Sequence, residues 1–145
     1  MSEIENQKDN YQWWRWLFVP VVPPIAGLAG GAAFHLVQWF GMKMTGGYSE
    51  DGWIFLCFMP LVTAGFVGFA YSWSAAIIAP SAQFKASLAM TSLLFLFALL
   101  ACYVAIARPE HSWFEAVSVV LMSVAAAVGS IIALHGSKKA YNSEP

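Results

Sequence analysis

Four long apolar runs separated by short polar stretches organise this chain: residues 17–40, 53–79, 86–107 and 113–134. Each exceeds the ~20 residues that a helix needs to cross ~30 Å of hydrocarbon at ~1.5 Å per residue. The pattern predicts an all-α polytopic membrane protein, with four transmembrane helices in an antiparallel bundle. That transmembrane domain covers 13–135, flanked by polar cytoplasmic tails at 1–12 and 136–145. The acid-rich leader MSEIENQKDN lacks the basic start of a signal peptide, so the first run reads as a retained span.

The first run, FVPVVPPIAGLAGGAAFHLVQWF (18–40), mixes residues that weaken helices into a lipid-length segment. At helical spacing Pro20, Pro24, Gly27, Gly31, His35 and Gln38 fall on one stripe, and Val21, Ile25, Leu28, Ala32, Leu36 and Trp39 on another. Membrane helices gain little from hiding apolar groups and associate through close packing of small residues. The first stripe is therefore read as a packing face, and Pro23 and Pro24 as the cause of a kink. Comparable faces carry Cys57, Leu61, Ala64, Gly68, Ser72 and Ala75 in the second run, with Gly65 beside them. Ser87, Thr91, Leu94, Ala98, Cys102 and Ala105 share one in the third, and Glu115, Ser118, Met122, Ala125 and Gly129 one in the fourth. Gly27, Gly31, Gly65, Gly68 and Gly129 are the expected points of closest helix packing.

Charge sets the orientation. Lys8, Arg15, Lys85, Lys138 and Lys139 lie on one side of the spans, and only Lys43 and Arg108 on the other. Basic loops stay cytoplasmic, which predicts an integral protein of a bacterial inner membrane with both termini inside. Trp13, Trp14, Trp16, Trp53 and Trp113 fall where interfacial anchors belong, with Arg15 extending from its aromatic cluster to lipid phosphates. A hydrophobic content of 59% against 10% charged residues excludes a soluble single-core domain, and a net charge of −1 with no basic field argues against nucleic acid.

Counted inward from the outer ends, His35, Cys57, Cys102 and Glu115 share one shallow slab. Such a set could serve zinc or copper, but no two of them have ligand spacing within one segment. A His35–Glu115 hydrogen bond or ion pair is the favoured reading, ahead of a Cys57–Cys102 disulfide, a metal site, or haem held by His35 and His111. His135 is read as capping the fourth helix before Gly136. No cofactor is expected, and no catalytic constellation is present, so the chain reads as a non-enzyme.

The run GLAGGAAFH (27–35) is similar to the Gly-Gly segment in the first span of fluoride-channel proteins, but their membrane asparagine and Thr-Thr-Phe-Ser break are missing. The first-span glutamate of small multidrug transporters is missing too, and no family is assigned. The sequence points to a non-catalytic subunit or scaffold that packs with itself or with a larger membrane complex. The competing expectation is a small homo-oligomeric channel, transporter or membrane-perturbing effector, with His35 and Gln38 near its path.

Overall fold

The computed structural model describes residues 15–46, 52–79, 83–107 and 113–142. Within them lie a short α1 (Arg15–Phe18), α2 (Val22–Met44), a π-helical turn (Ile54–Phe58) leading directly into α3 (Met59–Ile78), α4 (Gln83–Ala107) and α5 (Trp113–Asn142). Four helical segments are long and apolar enough to cross a membrane: α2, the π turn together with α3, α4, and α5 as far as Lys139. Trp13, Trp14, Glu110 and His111 lie outside the described residues.

Of the prolines of the first run, Pro20 precedes α2, while Pro23 and Pro24 fall in its first turn and not in its interior. A turn closed by Val21 N–H donating to Phe18 O, 3.1 Å, separates α1 from α2. Pro23 then falls in the first turn of α2. Its missing N–H would have had no intrahelical partner there, and its fixed φ already suits a helix. At the other end Thr45 caps α2, its N–H donating to Gly41 O. Gly46 then takes φ +72°, the left-handed position that releases the chain from the helix.

Pro60 has a larger effect. A proline inside a helix removes one backbone donor and crowds the carbonyl four residues back. The turn before it is widened, and Met59 N–H reaches back five residues to Ile54 O. The extra residue turns everything upstream by about 100° relative to a regular helix.

Helix α5 also departs from expectation. It continues through His135 and Gly136 to Asn142, so His135 does not end the helix and the segment taken as a polar tail is largely helical. Gly136 lies close under a ring there: a Cβ would meet Trp73 Cζ3 at 3.2 Å. Ser137 Oγ supports the same turn by donating to Ala133 O at 2.9 Å.

Helix α3 sits at the centre and packs against α2, α4 and α5; α4 and α5 also pack on each other. Helix α2 packs chiefly on α3. Gly27 lies against Tyr71 and Val67 while Gln38 meets Thr63, so α2 and α3 run in opposite senses. Gly65 meets Ala125 and Gly129 while Trp73 lies over Gly136, so α3 and α5 run in the same sense. An up-and-down bundle places its second and fourth helices on a diagonal. Here the diagonal is closed and α2 is left as a satellite. The termini end of the bundle carries Arg15, Ile78 and Gln83; the far end carries Met44, Trp53, Ala107 and Trp113.

Candidate helix-packing site and apolar crevice

Among the described glycines, those of the α3–α5 seam make the closest contacts with opposing backbone. A Cβ on Gly68 would strike the Ala126 carbonyl oxygen, with Ala126 C at 2.7 Å and Cα at 2.9 Å. One on Gly129 would strike the Gly65 carbonyl oxygen, with Gly65 C at 2.8 Å and Phe69 N at 3.1 Å. All of these atoms are backbone, so only glycine allows the two helices this separation. Gly65 contributes its carbonyl to the contact; a Cβ of its own would sit 3.5 Å from Ala125 O, an ordinary distance.

The α2–α3 contact is looser and made by side chains. A Cβ on Gly31 would run into Val67 Cγ2, whereas one on Gly27 would meet Val67 and Tyr71 atoms at 3.5 Å. Phe34 stacks on Phe66 with centroids 4.6 Å apart, and Thr63 Oγ1 donates to Gln38 Oε1 at 2.9 Å. Ile25, Leu28, Ala32 and Leu36 are exposed, as a lipid face requires. Pro20 and Pro24 are exposed too, and Pro23 is buried in their place.

Buried hydroxyls tie α3 to α4. Ser72 and Thr91 share a hydrogen bond of 3.0 Å, and Ser87 Oγ donates to Ser72 O at 3.1 Å. Each bond stands in for water that a bilayer cannot supply. Nearby, at the termini end, Val19, Tyr71, Ala75, Ala79, Ala86 and Met90 form a buried cluster. Arg15 also works here: its Nη2 donates to Ile77 O at 3.3 Å. That carbonyl belongs to the last turn of α3, where intrahelical partners run out and a positive charge is favoured. Sequence reasoning assigned Arg15 to lipid phosphates alone, and no spacing rule could have paired it with a residue 62 positions away.

The slab of polar groups does not assemble into a site. Among the described residues no three His, Cys, Asp or Glu side chains are gathered as a metal would require. Cys57 and Cys102 are free thiols, the first exposed and the second half-buried. Cys57 faces the crevice between the π turn and α5 instead of a common centre. His35 is half-buried on α2, which does not pack appreciably on α5, and Glu115 on α5 is exposed. The cause is the glycine seam: with α3 and α5 in contact along the diagonal, α2 stands outside and carries His35 with it.

The anchors Trp53 and Trp113 are 71% and 84% exposed at the far end, and Trp16 is exposed at the other. Trp39 is half-buried, with Lys43 Nζ 4.7 Å from its ring centroid.

Along the outer side of the seam runs an apolar crevice that sequence reasoning missed. Its far-end section, about 180 Å³, opens between Trp53 and Phe114. A second section of about 590 Å³ continues between Phe34, Phe66 and Phe69 on one side and Val124, Val128 and Ile132 on the other. Leu61 and Leu121 line both sections, so the two adjoin. Beyond it toward the termini end, Trp73 stacks on Phe69 with centroids 5.7 Å apart and lies beside Gly136. The apolar stripe 114, 117, 121, 124, 128 and 132 was readable as one face of α5, but nothing in it distinguishes a crevice wall from a lipid face.

No protein-family model, curated protein or solved structure matches this chain.

Proposed function

We propose that this protein is a non-catalytic integral membrane subunit or scaffold that acts through helix packing with copies of itself or with a larger membrane complex. The observation that carries this reading is the disposal of interior polar groups. Ser72, Thr91 and Ser87 are spent on one another, and Thr63 on Gln38, and the other described helix contacts are made by glycine, alanine, larger aliphatic and aromatic residues. A conducting path needs a succession of available polar groups across the hydrocarbon. Helix packing needs only surfaces such as these. We further assign the protein to a bacterial inner membrane with both termini cytoplasmic, on the five-to-two distribution of lysine and arginine. The test is purification in mild detergent with mass photometry and identification of co-purifying chains. A stoichiometric partner or a defined homo-oligomer supports the reading. A monodisperse monomer that carries ion or solute flux in proteoliposomes, lost in Gln38→Leu, refutes it in favour of a transport protein.

A further inference from the structure

We propose that residues 15–21 form a releasable strap that latches α2 to the rest of the bundle at the termini end, with Arg15 as its hook and Val19 as its plug. Arg15 Nη2 donates to Ile77 O at 3.3 Å, in the last turn of α3. Four residues on, Val19 is 8% exposed and joins the buried cluster that Tyr71, Ala75 and Ala79 share with Ala86 and Met90 of α4. The chain then turns through Pro20, with Val21 N–H donating to Phe18 O, and enters α2. Both attachments precede α2, and both hold parts of the bundle other than the helix they lead into.

The strap lies where α2 is otherwise weakly held. Helix α2 packs chiefly on α3, and through side chains. Between α2 and α4 there is an apolar cleft of about 470 Å³, lined by Pro20, Pro24, Tyr71, Leu93, Leu94 and Phe97. Val19 stands beside that cleft, adjacent in the chain to Pro20 and in one cluster with Tyr71. The hook is the weaker attachment. Its bond is longer than the usual N–H···O range of about 2.7–3.2 Å, and it is exposed, so water competes for the guanidinium. Segments held by few buried contacts and exposed hydrogen bonds open before the rest of a fold. The strap therefore opens while Gly68 and Gly129 keep α3 on α5. Once open, it leaves α2 held by its contacts with α3 alone.

The experiment uses the full chain in phosphatidylcholine nanodiscs, with Cys57→Ser and Cys102→Ser removing the native thiols. Single thiols are then introduced by Val19→Cys, by Pro20→Cys at the exposed neighbour, and by Ala133→Cys at a fully buried site on α5. The rate of N-ethylmaleimide labelling reports how often each position is uncovered. Val19→Cys should label at least about tenfold more slowly than Pro20→Cys, the factor that burial of one small apolar side chain supplies, and faster than Ala133→Cys. Arg15→Ala should raise the Val19→Cys rate about two- to fivefold and leave the other two unchanged. With Val19 intact, the same Arg15→Ala change should quicken amide exchange over residues 75–79 and not over 126–133 of the seam. Equal labelling at positions 19 and 20 overturns the proposal, because the strap is then never closed. A rate at position 19 as slow as at 133 and unmoved by Arg15→Ala overturns it too, because the segment then opens only with the whole bundle. Faster labelling at 133, or faster exchange over 126–133, on Arg15→Ala is general loosening and refutes a local release.

Discussion

Replacing Gly68 or Gly129 by alanine should loosen the whole molecule, whereas the same change at Gly41 should tighten it. At Gly68 the new methyl would lie 2.7 Å from Ala126 C and 2.9 Å from its Cα, and at Gly129 it would lie 2.8 Å from Gly65 C. Carbon pairs rest at about 3.5–4.0 Å, so α3 and α5 must part by about 1 Å. No rotamer change relieves the conflict, because the opposing atoms are backbone. Overpacking costs about 1–3 kcal/mol, and rigid opposing backbones place these two sites toward the upper end. Alanine returns up to about 1 kcal/mol through its better helix propensity, leaving a net loss of about 1–2 kcal/mol. A methyl on Gly41 would meet nothing within 4 Å, so there only the propensity gain remains. The two classes should therefore differ by about 2–3 kcal/mol, a factor of roughly 30 to 150 in an unfolding equilibrium. Reversible unfolding in mixed micelles, or steric trapping, measures this directly. Gly27→Ala, whose methyl would find neighbours at 3.5 Å, should group with Gly41→Ala. If Gly68→Ala proves as stable as Gly41→Ala, the backbone seam is not what holds α3 and α5 together.

Gly31→Leu should weaken attachment of α2 by collision with Val67, while Ala32→Leu on the exposed face should be mild; detergent-stable fold yield compares them. Ser72→Ala should cost about 0.6–1.7 kcal/mol by breaking the link to Thr91, and a double-mutant cycle with Thr91→Val should recover a coupling of that size in micelle unfolding. Arg15→Ala should destabilise the termini end of α3 by roughly 0.3–1 kcal/mol, seen as faster amide exchange over residues 75–79. Reporter fusions after Lys139 should be active in the cytoplasm and fusions at Gly47 outside it; the reverse pattern inverts the proposed orientation.

The elements and several faces were legible because periodicity acts locally. Gly27, Gly31, Ser87, Thr91, Gly68 and Gly129 are all buried where the stripes put them. The failures have local causes too. The first stripe was drawn from Pro20, yet α2 begins at Val22, so Pro20 and Pro24 fell off the packing face and Pro23 took their place. Cys57 was counted at 3.6 residues per turn from Ser72 through Leu61, a rule that fails across the π turn before Pro60. The extra residue rotated the thiol toward the α5 crevice, and Pro60 was the signal that could have foretold it. The diagonal contact was not legible at all. Small residues occur on every span, and a one-helix pattern does not say which small face meets which.

In water, four amphipathic helices converge because each must hide an apolar stripe, and the outcome is a shared core. In a bilayer that pressure is absent, and helices stay together only where their atoms fit closely. The three contacts of α3 differ accordingly. Against α5 the fit is backbone on backbone at Gly68 and Gly129; against α4 it is a hydroxyl pair and the buried cluster around Tyr71, Ala75, Ala86 and Met90 at the termini end; against α2 it is side chains resting on two glycines. The seam is a geometric constraint that a methyl group breaks. The α2 contact is a set of replaceable side-chain interactions. A single methyl at Gly68 or Gly129 should thus part α3 from α5, whereas α2 should keep its place when Gly27 becomes alanine.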